Sequence, residues 1–374
     1  MKVQLGSFLQ EVSDKTTKND QHPVLTSSKA GLFLQSDYFS KQVASRDNTG
    51  YKIIRRGQFT YRAMSDTGEF FPNMLECTDI GIVSPAYPVF EISNPDIILP
   101  EYLKYFFKSD AFQYSISAFA QGSTRTSVKY SKLQTVTMPL PCIAEQKKAV
   151  DILENAQELI INQKKLLTAY DTLIKARFVE MFGDINNPYD YKESTVKEYC
   201  QMTQGVQIPM SEQITKYRIG YCRYLYIRDL KYNNNDTMIY VLDKYNEKKL
   251  TKNDLVVVNT GNTAGEIYMG KEGILSNNLF KLSFDTHVLS KSYLYYFFRT
   301  SAFQKLLWNE MKEGTQPHLG HKIFGNKKII IPPIELQEQF SIFIAQIDKS
   351  KAVVQQALAK DQLLFDSLMQ QYFG

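Results

Sequence analysis

The sequence predicts an α+β chain: two mixed α/β domains joined by two long helices packed as an antiparallel coiled coil, the whole built as an internal pseudo-repeat. Three observations predict it. Residues Glu101 to Gln113 read EYLKYFFKSDAFQ and Ser292 to Gln304 read SYLYYFFRTSAFQ, with eight of thirteen positions identical at an offset of 191. Each copy opens with short β-branched or aromatic runs bounded by Gly, Pro, Asn and Asp, as strands and turns are. Each copy closes, after a proline pair, on a long stretch with apolar residues at heptad spacing.

Further echoes keep the phase. Gly81-Ile82-Val83-Ser84 answers Gly273-Ile274-Leu275-Ser276, and Gly122 answers Gly314, both at 192. Glu145-Gln146 is matched with Glu338-Gln339 at 193, and Met181-Phe182-Gly183 with Tyr372-Phe373-Gly374 at 191. Strands are expected in VLTSSKAGLFLQ, KIIRRGQFTYRA and IVSPAYPVFEI of the first copy, and in YCRYLYIRDL, DLVVVNT and ILSNNLFKLSF of the second. The two aromatic-rich echoes are expected to be helical. Their rings (Tyr102, Tyr105, Phe106 and Phe107; Tyr293, Tyr296, Phe297 and Phe298) read as core rather than as base-stacking platforms.

No proline or glycine interrupts Glu145 to Phe182. Ile152, Leu159, Leu166 and Leu173 recur every seven residues, beside a second series of Leu153, Ile160, Leu167, Ile174 and Met181. In the second copy Phe340, Ile347, Val354 and Leu368 form one series, broken by Asp361; Ile344, Leu358, Phe365 and Tyr372 form another, broken by Lys351. A helix of about 38 residues is a rod of roughly 57 Å. The expected boundaries are 1–141 and 185–333 for the two domains, with 142–184 and 334–374 for the helices.

Composition narrows the classes. The chain of 374 residues is 43% hydrophobic and 22% charged, which excludes a disordered chain. No apolar run reaches the roughly 18 residues of a membrane span, and MKVQLGSFLQEV lacks a signal peptide's apolar stretch, so a cytoplasmic location without membrane contact is expected. Four dispersed cysteines argue against a zinc site or a disulfide framework. The net charge of +5 is concentrated in 186–333 (20 basic against 14 acidic residues), while the helical stretches carry none of it. A polyanionic partner is permitted by this pattern.

The order strand-rich domain, PLPCIAEQKKAVDILENAQELIINQKKLLTAYDTLIKARFVEMFGD, strand-rich domain, long helix resembles the specificity subunit of type I restriction-modification enzymes, over the whole chain. IVSPAYPVFEI, DLVVVNTGNTAGEI and Gly122-Ser123-Thr124 look like variants of elements in that family's target recognition domains. The second helix departs from the pattern at its entry, PPIELQEQF. The resemblance implies a non-catalytic reader of double-stranded DNA, with target recognition domains reading the halves of a split, asymmetric target. It implies two methyltransferase subunits acting on adenine N6 and motor-nuclease subunits as partners. S-adenosylmethionine, ATP and Mg²⁺ are then used by those partners and none is bound by this chain. Two domains on a fixed rod can address half-sites about one helical turn (~34 Å) apart.

Under that resemblance the candidate DNA contacts fall into four groups. The loop Gln121–Lys129 offers Ser123, Thr124, Arg125 and Lys129, with small hydroxyls and a glycine that allow close approach. Its counterpart offers Thr315, Gln316 and His318. Arg55, Arg56, Tyr61 and Arg62 lie in the first domain, and Asn259, Thr260, Asn262 and Thr263 in the second. Arg suits guanine O6/N7 and Asn suits adenine N6/N7. Partner and coiled-coil contacts are expected from Ile152, Leu159, Leu166, Leu173, Ile347, Val354, Leu358 and Phe365.

Catalytic readings fare worse. Asn186-Asn187-Pro188-Tyr189 departs from the Asn-Pro-Pro-Tyr motif of amino-methyltransferases, and no glycine-rich loop for a nucleotide accompanies it. His318 and His321 have no third ligand beside them in sequence. The rival reading from another class is a coiled-coil scaffold that binds proteins without reading DNA. Sequence-selective, salt-sensitive DNA binding separates the two.

Overall fold

Two unbroken helices of 40 residues, Ile143–Phe182 and Ile334–Phe373, run through the structure, a computed structural model. It describes residues 2–38, 46–119, 126–232, 237–311 and 317–374. The chain divides into two units, and the division falls inside both helices. One unit is Met1–Lys164 with Gln355–Gly374; the other is Lys165–Val354.

In the first unit a four-stranded antiparallel sheet has the order Leu9–Val12, Val89–Ile92, Phe59–Thr60, Asn73–Met74. The helices Pro100–Phe106 and Asp110–Ser117, with Phe107 between them, supply Tyr102, Leu103, Phe106, Phe107 and Phe112 to the core. The chain breaks between these helices because the Ser109 hydroxyl accepts from Phe112 N and so caps the second one. Leu153, near the start of the first long helix, and Phe373, at the end of the second, enter that same core. The Phe373 ring lies 4.9 Å from that of Tyr102. The two helical segments are therefore antiparallel.

The second unit repeats the sheet in the same order: Cys200–Gln204, Leu279–Phe284, Leu255–Val258, Ile267–Met269. Here Ile174, Phe178 and Phe182 from the first long helix meet Phe340 and Ile344 from the second, with Phe178 and Phe340 at 5.4 Å. A second sheet, Ile239–Leu242, Tyr221–Leu225, Gly273–Leu275, Lys249–Leu250, lies beyond it. The first unit has in its place the hairpin Leu25–Ser28/Gly31–Leu34 and the pair Lys52–Arg55/Ile80–Val83.

Three details differ from the sequence reading. YCRYLYIRDL is half strand and half helix: Asp229 accepts from Tyr226 N and pairs with Arg223, which turns Ile227–Lys231 into a short helix. The buried counterpart of Gln146 is Gln337, at offset 191, and the match to Gln339 at 193 is out of register by two. Of the two heptad series in the first long helix, Leu153, Ile160, Ile174 and Met181 are buried, while Leu159, Leu166 and Leu173 face outward.

The polar breaks in the second helix also find a reason. Asp361 accepts from Gln163 Nε2 at 2.6 Å in the first unit, and Lys351 pairs with Asp171 at 2.6 Å in the second. A polar pair in an apolar seam disfavours slipped registers, because any slip leaves it unmatched.

Candidate nucleic-acid interface

Each unit brings together two loops that are distant in sequence. In the second unit, Leu319 N donates to Asn259 O at 2.7 Å and Gly261 N to Pro317 O at 3.0 Å, so that Thr260 bridges His318. The hydroxyl of Thr260 lies 3.4 Å from His318 Nδ1. A third segment closes the recess, because Asn259 N donates to Asn278 O and Asn259 Nδ2 to Asn277 O. The result is a recess of about 480 Å³ lined by Gln204, Asn259, Thr260, Asn277, Asn278 and His318, among others. Among the described residues, no Lys, Arg, Asp or Glu lines it. Gly205 makes the close approach possible: a Cβ there would lie 2.0 Å from Ser276 O.

His321 stands behind this edge, its ring edge-on to Phe280 at 4.8 Å. Burial, and then the neighbouring His318, hold its pKa below the ordinary value. Asn262 is exposed and Thr263 half-buried beside the recess. Asn259 is buried and its amide holds the Asn277 carbonyl, so it supports the edge and does not present it. Thr315 and Gln316 lie outside the described residues.

The first unit forms the same junction with other side chains. Thr126 pairs with Ser65 and Ser127 with Met64, and Val128 N donates to Ala63 O at 3.0 Å. Lys129 is exposed beyond it, whereas Ser123, Thr124 and Arg125 lie outside the described residues. Tyr61 is a correction. It is 1% exposed and its hydroxyl donates to Val128 O, so it belongs to the core under the junction and cannot reach a duplex. The arginines are at the surface but held: Arg55 by Asp14 at 2.7 Å, Arg56 by Asp79 at 2.8 Å, and Arg62 by Asp66 at 3.4 Å. Exposed pairs of this kind are worth about 0–1 kcal/mol, so a phosphate can displace the carboxylate.

Asn277 and Asn278 were missed in the sequence because ILSNNLFKLSF reads as a single strand. The signal was the Ser-Asn-Asn triplet, a turn composition inside an apolar run. The aromatic echoes lie in the two cores, as the sequence reading has them, with Tyr296 half-buried. Asn187 is committed to a turn after the first long helix, its Nδ2 donating to Tyr191 O at 2.7 Å. A larger recess of about 880 Å³ in the second unit lies against Asp171, Lys175, Phe178 and Arg299. There Lys351 pairs with Asp171, and Arg299 donates to Ile267 O while stacking over Tyr295. Among the described residues no helix is long and apolar enough to cross a membrane.

On the helices, Ile152, Ile347, Val354, Leu358 and Phe365 are half-buried, while Leu159, Leu166 and Leu173 are 53%, 42% and 47% exposed. Leucines so exposed at heptad spacing leave apolar area on the first long helix without cover.

The family model described as the type I restriction modification DNA specificity domain matches residues 15–169 and again 188–360. The chain belongs to that family. Among curated proteins it is similar to two from Methanocaldococcus jannaschii. The type I restriction enzyme MjaVIII specificity subunit is 28% identical over 173 residues, a match covering 46% of this chain and 39% of that protein. The MjaIX specificity subunit is 22% identical over 294 residues, covering 72% of this chain and 68% of that protein. Among solved structures, the S subunit of a type I restriction-modification system from M. genitalium superposes with a TM-score of 0.60 at 14% identity, covering 100% of this chain and 96% of that one. A chain from a structure on complex assembly and conformational transition of the type I R-M system gives 0.61 at 16%, covering 100% and 97%. These likenesses show the fold, with its two repeated domains and their helices.

Proposed function

We propose that this chain reads DNA sequence for a type I restriction-modification complex, each unit reading one half of a bipartite, asymmetric target. The observation that carries this reading is one scaffold used twice, with different side chains at the same two-loop junction. Where the second unit presents Thr260 and His318, the first presents Met64 and Ser127. Identical readers would favour a symmetric site; unlike readers on like scaffolds fit unlike halves.

Recognition then divides in the usual way between phosphate and base contacts. Lys129 and the displaceable arginines of the first unit supply charge for phosphates, and uncharged groups at the junctions face base edges. The chain itself is proposed to be non-catalytic. Two methyltransferase subunits would use S-adenosylmethionine to modify adenine N6, and motor-nuclease subunits would use ATP and Mg²⁺. Leu159, Leu166 and Leu173 are proposed as part of the surface that the methyltransferase subunits cover.

Base-modification sequencing of host DNA, with this gene intact and deleted, tests the reading. Loss of methyladenine at a two-part motif with a fixed internal gap is expected. Loss at a single uninterrupted motif would overturn the two-reader assignment. Unchanged methylation, together with duplex binding by the full chain that shows no sequence preference, would favour the protein-binding scaffold.

A further inference from the structure

The two units carry one turn that is the same in backbone and opposite in chemistry. In the first, Tyr87 N donates to Ser84 O at 2.9 Å; in the second, Leu279 N donates to Ser276 O at 3.1 Å. Each turn leaves a matching strand, Ile80–Val83 or Gly273–Leu275, and enters the strand next to the sheet's edge, Val89–Ile92 or Leu279–Phe284. The central residues are Pro85-Ala86 in the first unit and Asn277-Asn278 in the second, all four exposed.

In the second unit both central carbonyls of this turn are engaged. Asn277 O accepts from Asn259 Nδ2 and Gln204 Nε2, and Asn278 O accepts from Asn259 N. Neither carboxamide side chain has a hydrogen-bond partner among the described residues. Two free amides are thus held at the rim of a recess whose described lining has no Lys, Arg, Asp or Glu. Phosphate binding draws on cations, and the described residues of this rim include no Lys or Arg. A carboxamide presents one donor and one acceptor side by side, the complement of adenine N7 and N6 in the major groove. Guanine, with two acceptors there, is better served by Arg, and cytosine by a carboxylate.

We infer that the Asn277-Asn278 turn is a base-reading element of the second unit and selects adenine, whereas the Pro85-Ala86 turn of the first unit has no hydrogen-bonding side chain with which to do so. This rests on the reading that each unit reads half of a target. It confines adenine selection by this turn to one half, at the base pairs the turn governs.

Selection from randomised duplexes by the full-length chain, wild type against Asn277→Ala, Asn278→Ala and the double variant, tests it. Wild type is expected to enrich a two-part motif. The double variant should lose roughly ten- to a hundredfold discrimination at one or two A·T pairs in one half, with the other half intact. The intact half shows that the variant is folded. An unchanged motif, or relaxation at G·C pairs instead, overturns the adenine assignment and leaves the proposed function standing. Failure of the wild-type chain to enrich any sequence removes the assignment together with the reading beneath it. Asn278→Gln, which keeps the amide, should retain more selectivity at the relaxed pair than Asn278→Ala; equal loss would argue for a merely structural turn.

Discussion

Gln146 and Gln337, 191 residues apart, are both fully buried and make the same three hydrogen bonds. Gln146 accepts from Leu99 N at 2.9 Å and donates to Ile97 O and Pro141 O, each at 2.9 Å. Gln337 accepts from Ser290 N at 2.7 Å and donates to Val288 O at 3.0 Å and Pro332 O at 2.9 Å. Each side chain ties the first turn of a long helix to the loop before its domain's aromatic helix. A helix start buried against a loop leaves backbone groups that water cannot reach, and one carboxamide satisfies three of them.

Gln146→Ala should therefore strand one N–H and two carbonyls, costing about 3 kcal/mol in the first unit. Gln337→Ala should do the same in the second. Hydrogen exchange followed by mass spectrometry checks this: protection should fall around Ile97–Leu99 for one variant and around Val288–Ser290 for the other. Loss spread evenly over both units in either variant would contradict a local clamp.

The architecture was legible in the sequence because it is written in long-range repetition and heptad spacing, which many residues share. The glutamine clamp was not, since two of its three backbone partners are 47 and 49 residues away. Neither was the outward set of heptad leucines: Leu159 and Ile160 are both apolar, and only the partner helix decides which is covered. The two-loop edge of the second unit was half legible. Thr260 and His318 carry turn compositions, but their meeting depends on the Leu319–Asn259 backbone bond. Tyr61 misled because Tyr-Arg beside Arg-Arg looks like a surface patch, while its ring packs inward, 6.4 Å from that of Phe90.

Phe373 tests the sharing of helices between units. It ends the second long helix and is 2% exposed among Tyr102 and Phe106 of the first unit. Phe373→Ala should cost about 3–5 kcal/mol there, since an aromatic ring leaves a cavity that close-packed neighbours cannot fill. Exchange protection should drop at 100–117, far away in sequence. Unchanged protection there would mean that the end of the helix does not dock on that core.

His321 gives the second unit a pH response. Burial and then His318 disfavour its proton in the folded state, so its folded pKa lies below the ordinary 6.5. The unfolded chain takes up that proton first as pH falls. Its contribution to stability is thus complete above about 6.5 and is lost as pH drops through the folded value. Thermal melts from pH 7.5 to 5.5 should show a decline in wild type that is shallower in His321→Gln. Equal slopes would assign the decline to other groups.

Both helices divide between the units, at Lys164/Lys165 and Val354/Gln355, so a change in helix length has to be made in both. Each unit takes a segment from both helices, so lengthening one helix alone would pull the Gln163–Asp361 and Asp171–Lys351 pairs out of register. Seven residues inserted at both points keep each pair inside its own unit and preserve the heptad phase. The added rod is about 10.5 Å, or about three base pairs at 3.4 Å each. If each unit reads half of a target, the double insertion should widen the gap in the selected motif by about three base pairs and leave both halves unchanged. The single insertion should instead lower the melting temperature. A changed half-site in the double insertion would show that the helices shape the readers as well as separating them.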